Sequence, residues 1–275
     1  MAKILYLWCG ELGWELVSGI PGVNRLVSQG HKVSVCTFPA SRSMYADMDV
    51  EMAPCTLKDG CRLAGKGKAR GYVFPEGYSE HLTYMPADPR HSTYKGRTPA
   101  LPKVLREDIP RQKEKMIAVH ARRFSGSKTG RNFTEAQFNA LEAFLDARFD
   151  ISFIGHPKLS AACDLGTDLR TEDIGEMIAV IKRSALVFGP DSGPTHMGHW
   201  SLVPIFSWGC PDNRNVPRPN STWNPFQMPY FHPWFDNPTR ENMRKCHSAY
   251  RPTAKQLRDA IERLLDSTDN LEGLP

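Results

Sequence analysis

The 275-residue sequence has no apolar run long enough to cross a membrane as a helix, which excludes a helical span among these residues. Ile4 to Trp8 is apolar but short and soon interrupted by Glu11, so it does not read as a signal peptide. The seven cysteines (9, 36, 55, 61, 163, 210 and 246) are odd in number, scattered and free of CxxC spacing. That pattern excludes a zinc ribbon or a disulfide framework and suits reduced, mostly buried thiols, as expected of a cytoplasmic protein. No repeat at solenoid period is present. Apolar and charged fractions of 40% and 24% exclude a disordered chain.

Charge is unevenly spread. Through Lys115 there are 17 Lys/Arg against 12 Asp/Glu, while the remainder has 18 of each. The whole net charge of +5 therefore lies in the first part. A solvated, slightly basic surface accounts for this, as does a surface that meets an anionic partner.

Lys3 to Trp8 reads as a buried strand, followed by a glycine-bearing loop at Cys9 to Gly13 and a helix from Trp14 to about Gln29. Leu16, Ile20, Val23 and Val27 mark the buried stripe, and Pro21-Gly22 predicts a kink there. Gly30 closes the helix and Lys32 to Phe38 is a second strand, so the chain opens with a β-loop-α-β unit. Glu51 to about Arg111 is rich in Pro and Gly. It carries a basic patch (Lys58, Arg62, Lys66, Lys68, Arg70) interleaved with Tyr72, Phe74, Tyr78 and Tyr84. Such a mixture suits a nucleic-acid or glycan surface, and equally an irregular loop.

After a composition change near Pro110 to Lys115 the pattern becomes regular. Met116 to Val119 is a strand, and a polar loop from His120 to Arg131 holds Arg122, Arg123 and Lys128. Thr134 and Gln137 form a capping box for a helix with Phe138, Leu141, Phe144 and Leu145 inward. Ile151 to Ile154 is a strand ended by Gly155. Thr171 caps the next helix, whose apolar face is Met177, Ile178 and Ile181. Ala185 to Trp200 then reads Ala-Leu-Val-Phe-Gly-Pro-Asp-Ser-Gly-Pro-Thr-His-Met-Gly-His-Trp: a buried strand, a stop at Gly189-Pro190, and a helix capped by Asp191 or Ser192 and begun near Pro194. A helix N-terminus at the carboxyl edge of a sheet is an anion site by its free amides, although an ordinary βα turn uses similar residues. Val203 to Phe206 is another strand, and Thr253 with Gln256 boxes a last helix over 253–267. Alternating strands and helices of this size predict a doubly wound α/β fold.

The segment from Ile117 to Gly209, above all Gly189 to His196 followed by the Pro204-bearing strand, resembles the donor domain of GT-B glycosyltransferases, and the heptosyltransferase-like group (glycosyltransferase family 9 type) in particular. The Gly10-Glu-Leu-Gly-Trp-Glu-Leu stretch, with Ile20-Pro21 after it, sits where that group has a Gly-Asp turn and a Pro-bearing helix. The resemblance implies two Rossmann-like doubly wound domains facing across a cleft. Residues 1–113 would bind the acceptor. Residues 114–275 would bind the donor, their last helix with the option of packing back on the first domain.

It further implies an inverting, metal-independent glycosyltransferase using a nucleotide-sugar as donor substrate and no other cofactor. Arg122, Arg123, Lys128, Asp191, Ser192, Gly193, Thr195 and His196 are then donor-binding, with phosphate charge met by the amides, the helix dipole and the basic side chains. Register on Ile20-Pro21 makes Glu15 the general base; register on the first strand and Gly10 makes it Glu11. A Glu-seven-residues-Glu pair typical of retaining relatives is absent from the donor domain. Lys66, Lys68 and Arg70 would meet an anionic acceptor, either a hydroxylated base in DNA or a phosphorylated glycan. His196 and His199 lie three apart on a helix but lack a third ligand in register, so no metal is expected. The alternatives are a non-catalytic nucleic-acid- or glycan-binding protein on this scaffold, and a nucleotide-sugar epimerase of the same fold. No evident acid/base constellation supports the epimerase.

Overall fold

The structure is a computed structural model. It describes residues 1–8, 12–54, 63–64, 68–69, 76–83, 102–110, 113–123, 132–133, 135–146, 148–190, 192–207, 230–231, 255, 259 and 262–263. The chain divides into two compact units, Met1–Glu107 and Asp108–Pro275.

In the first unit, β1 (Lys3–Leu7) pairs in parallel with β2 (Lys32–Cys36), and β2 pairs in parallel with β3 (Val50–Met52). The Leu63–Ala64 and Lys68–Ala69 pieces, β4 and β5, form a small antiparallel pair, and β6 (Glu80–Thr83) returns to the free edge of β1. The sheet order is β3-β2-β1-β6. Ile4, Leu5, Tyr6, Leu7 and Trp8 are all buried. A parallel strand covered on both faces has no solvent side to alternate towards.

The connection from β1 to β2 is helical but not uniform. It runs as α1 (Leu12–Trp14), a π-helical turn (Glu15–Gly19) and α2 (Ile20–Ser28), with Leu16, Ile20 and Val23 buried. The irregularity expected at Pro21-Gly22 therefore lies one turn earlier. Pro21 occupies the first turn of α2, where its missing N–H costs nothing within that helix. The carbonyls before it lose an i→i+4 donor, and the preceding turn widens instead. Thr37 follows β2 directly, and a 3₁₀ helix (Pro39–Tyr45) leads on towards β3. The short α3 (Lys103–Arg106) starts at Pro102.

In the second unit, β7 (Glu114–Val119) is followed by β8 (Ala121–Arg122), α4 (Glu135–Asp146), β9 (Asp150–Phe153), β10 (Ser160–Ala161), β11 (Thr167–Asp168), α5 (Ile174–Arg183), β12 (Ser184–Gly189), α6 (Gly193–Trp200), β13 (Ile205–Ser207) and β14 (Tyr230–Phe231). The main sheet has the order β11-β9-β7-β12-β13-β14, every neighbouring pair parallel. With the small antiparallel β8/β10 pair set aside, this is the 3-2-1-4-5-6 order of a dinucleotide-binding fold. Strand order reverses between β7 and β12. Ligands of such sheets bind outside the carboxyl ends at that reversal.

Phe188 of β12 centres the core, its ring 5.4 Å from Phe133, 5.0 Å from Phe144 and 5.5 Å from Phe206. Edge-on and tilted rings at these spacings contribute about 0.5–1.5 kcal/mol per pair beyond area burial. Of the four α4 residues expected inward, Leu141 and Phe144 are fully buried and Phe138 is half-buried, whereas Leu145 is 38% exposed in the last turn. Met177, Ile178 and Ile181 of α5 are buried as their spacing requires. The α5 cap is Asp173, which accepts from the Glu176 amide at 3.0 Å, rather than Thr171. The Thr171 hydroxyl donates to Glu176 Oε2 at 2.6 Å and accepts from the Asp173 amide, so it braces the cap from outside. Residues 255, 259, 262 and 263 are helical, within the expected last helix.

Candidate functional site

Two clusters carry chemistry, one in each unit. In the second unit, β7 and β12 end side by side, with Val119 opposite Phe188. His120 follows β7, and its amide donates to the Phe188 carbonyl at 2.8 Å. Gly189 closes β12, Ser192 is the N-cap of α6, and Pro194 stands in the helix's first turn. Ser192 does not cap with its side chain. Its Oγ lies 2.7 Å from His120 Nδ1 and 3.1 Å from Thr195 Oγ1. The His196 amide takes the Ser192 carbonyl at 3.0 Å, the first regular bond of the helix. By helix geometry the amides of Gly193 and Thr195 have no carbonyl within the helix to bond, and Pro194 has no amide hydrogen.

The turn is tightly cradled. A Cβ on Gly189 would stand 2.8 Å from Thr195 Oγ1 and 3.1 Å from both the Cβ and the carbonyl oxygen of His120. Gly155, at φ +113° after β9, would place one 2.7 Å from His120 Cδ2. Only glycine lets the chain after β9 approach the imidazole, and the end of β12 approach the His120 Cβ and carbonyl, so closely. His120 is 6% exposed. Burial first, and then the neighbouring Arg122 charge, lower its pKa to about 3, so the ring is neutral at physiological pH.

Arg122 and Arg123 have different surroundings. Arg122, in β8, is half-buried and close enough to act on His120; Arg123 is exposed, its amide donating to the Leu159 carbonyl at 2.7 Å. Consecutive residues of extended chain point to opposite faces. The structure thus brings Arg122, Ser192, Gly193, Thr195 and His196 to one sheet edge. It adds His120, whose direct contact with Ser192 no spacing announced. Lys128 and Asp191 lie outside the described residues. His196 is half-buried, its ring 6.3 Å from Trp200, and His199 is buried in the helix. Among the described residues no group of three His, Cys, Asp or Glu side chains could hold a metal ion.

In the first unit, Glu15 opens the π-helical turn at the carboxyl end of the sheet and is 1% exposed. Its Oε1 accepts from Thr37 Oγ1 at 2.5 Å and from the Tyr45 hydroxyl at 3.0 Å. Oε2 is buried with no hydrogen-bond partner among the described residues. Burial raises the carboxyl from 4.5 to about 7 against the opposing pull of the Thr37, Ser41 and Tyr45 hydroxyls. The Tyr45 phenol is pushed well above its usual value by burial and by the Glu15 charge. Thr37 falls inside the strand expected over Lys32 to Phe38, and nothing in the sequence marked it, Ser41 or Tyr45 as a partner of Glu15. Glu11, Lys66 and Arg70 lie outside the described residues. Lys68 pairs with Ala64 through its backbone, and its side chain is likewise not described.

No family model and no curated protein matches the sequence. Solved structures do. A glycosyltransferase family 9 protein from Veillonella parvula superposes with a TM-score of 0.54 at 11% identity, covering 97% of this chain and 98% of its own. The dodecameric iron-containing heptosyltransferase TibC, solved in complex with ADP-D-beta-D-heptose, gives 0.60 at 10% identity over 97% and 77% of the two chains. The E. coli heptosyltransferase WaaC with ADP gives 0.52 at 10% identity over 97% and 99%.

The fold is GT-B. At these identities the likeness is one of architecture, and it agrees with the parallel sheets built above. Within the GT-B fold, the Ser192–Thr195 turn occupies the strand-order reversal of the second unit, where ligands of doubly wound sheets collect.

Proposed function

We propose that this protein is an inverting, metal-independent glycosyltransferase. It moves a sugar from a nucleotide-sugar to a hydroxyl of an anionic acceptor, a hydroxylated base in DNA or a phosphorylated glycan. The observation that carries the reading is the turn at the β7/β12 reversal: a helix N-terminus with Ser192 and Thr195 gathered at it and His120 against Ser192, in a fold shared with transferases solved with ADP or an ADP-sugar. Gly193 and Thr195 amides, the α6 dipole and His196 would hold the diphosphate. Arg122, Arg123 and Lys128 would neutralise the departing nucleoside diphosphate, and Asp191 would contact the donor sugar.

In the reaction, the acceptor oxygen attacks the anomeric carbon as the bond to the diphosphate oxygen breaks, and a carboxylate takes the acceptor proton. Glu15, with its pKa near 7, has the basicity this step needs; Glu11 remains its rival. Lys66, Lys68 and Arg70 would hold the acceptor's negative charge, in a protein working in the cytoplasm. Incubation with UDP-, GDP-, ADP- and CMP-sugars in EDTA, read by mass spectrometry of the products, tests this. Release of nucleotide from one donor is expected, and absence of both binding and turnover across the set refutes it. A steep loss of acceptor binding with salt together with a need for polymer would identify the acceptor as nucleic acid.

One observation favours a second reading. Glu15 is 1% exposed and already engaged by two hydroxyls, which is how a structural carboxyl behaves. A non-catalytic nucleic-acid- or glycan-binding protein on this scaffold would bind polymer tightly and never turn a donor over.

A further inference from the structure

His120 and Ser192 are 72 residues apart in sequence and in contact at 2.7 Å, at the one place where the order of strands in the second unit reverses. The hydrogen bonds available there can be counted. Ser192 and Thr195 have one hydroxyl proton each, and their contact at 3.1 Å uses one of the two. Were His120 Nδ1 bare, the second proton would be spent on the ring, and neither hydroxyl could donate to anything else. With the ring proton on Nδ1, Ser192 accepts from the histidine and one hydroxyl proton of the pair is left over. It is left at the helix N-terminus, beside the Gly193 and Thr195 amides.

The geometry points to His120 as a positioning residue of this turn: its Nδ1–H donates to Ser192 Oγ, and this frees a Ser192/Thr195 hydroxyl to donate to a phosphate oxygen of a nucleoside diphosphate. Three features support it. Ser192 holds N-cap backbone geometry, φ −155° and ψ 166°, yet its oxygen does not take the helix amides that an N-cap serine ordinarily takes. Those amides stay open to a ligand while the serine oxygen is held by the ring. The imidazole is held in place: Gly155 closes on its ring, Gly189 on its Cβ and carbonyl, and the His120 amide is fixed to Phe188. Burial and the Arg122 charge keep the ring neutral, with a single proton to place. His120 thus acts through Ser192 and need not touch the ligand.

The inference rests on the donor-site reading, and the test separates the two. ADP, UDP and GDP are titrated calorimetrically into wild type, His120→Asn, His120→Phe, Ser192→Ala and the His120→Phe/Ser192→Ala double variant. Wild type is expected to bind at least one nucleotide. His120→Phe should weaken that binding about 10-fold or more, the size of one lost hydrogen bond to a charged group. His120→Asn, whose side-chain amide can stand where Nδ1–H stood, should stay within about 3-fold of wild type, well inside the effect of that bond.

Because His120 acts through Ser192, the double variant should bind no more weakly than Ser192→Ala alone. Multiplying losses, or a His120→Phe variant that binds like wild type, overturn the inference while leaving the donor site standing. Failure of wild type to bind any nucleotide overturns the donor-site reading and the inference with it. Nitrogen NMR of the wild-type imidazole gives an answer independent of how the variants fold. A proton on Nδ1 is expected, and a bare Nδ1 refutes the assignment.

Discussion

Replacing Glu15 with glutamine keeps the side chain's size and shape and removes its ability to ionise. In the folded chain this carboxyl titrates at about 7 instead of 4.5, because burial penalises its charge more than three hydroxyls relieve it. The folded state therefore holds a proton that the unfolded state releases between those two values. Stability contributed by that proton is fully present below about pH 4.5 and is lost as pH rises through about 7. The difference between 4.5 and about 7 corresponds to about 3 kcal/mol of stability lost across the window. Glutamine has nothing to lose. Its amide nitrogen takes the place of the carboxyl's own O–H, so Glu15→Gln should match wild type closely at pH 4.5 and exceed it by up to about 3 kcal/mol at pH 8. Urea unfolding of both proteins at half-unit steps from pH 4.5 to pH 8.5 reads this directly. If Glu15 is also the base, turnover by wild type should rise with pH through about 7 while its stability falls, and the glutamine variant should lose turnover at every pH. Equal pH slopes for the two proteins would refute the account of Glu15 as a carboxyl held protonated by burial. An active glutamine variant would refute its role as base.

Further outcomes follow from other positions. Gly189→Ala drives a methyl to within 2.8 Å of Thr195 Oγ1, so nucleotide binding should fall steeply and stability should drop by about 1–3 kcal/mol, read by calorimetry and thermal unfolding. Arg122→Ala should weaken binding of the donor by about 10- to 100-fold, the scale of a charged hydrogen bond, and exposed Arg123→Ala by much less; equal losses would contradict the opposite facing of these two consecutive residues. Phe188→Ala removes the ring at the centre of four packed phenylalanines and should cost about 3–5 kcal/mol in denaturant unfolding. Asp173→Ala should cost about 1 kcal/mol through the lost cap, with nucleotide binding unchanged.

What the sequence determined by itself is what short-range periodicity and backbone chemistry control. Strands at Lys3, Lys32 and Ala185, the buried face of α5 at Met177, Ile178 and Ile181, and a glycine-proline turn into a helix near Pro194 all follow from local pattern. So did the candidacy of Glu15 and of the Ser192–Thr195 turn, through the resemblance their spacing carries. Local pattern also named sets of residues between which it could not choose. Thr171 and Asp173 are both good caps, and the structure uses Asp173 because Thr171 already serves Glu176. Ser192 is a good cap as well, and its oxygen instead meets the histidine that follows β7.

Such contacts belong to tertiary structure alone. Strand pairing is set by the burial of whole faces and the closure of long crossovers, so no window of sequence records that β7 and β12 end side by side. That pairing joins His120 to Ser192 across 72 residues. In the first unit, only folding could set Thr37 and Tyr45 on Glu15 across 22 and 30 residues, and only the burial so created moves its carboxyl to about 7. The sequence decided which groups were present; the distances between them, and hence their protonation, were decided by which strands lay next to each other.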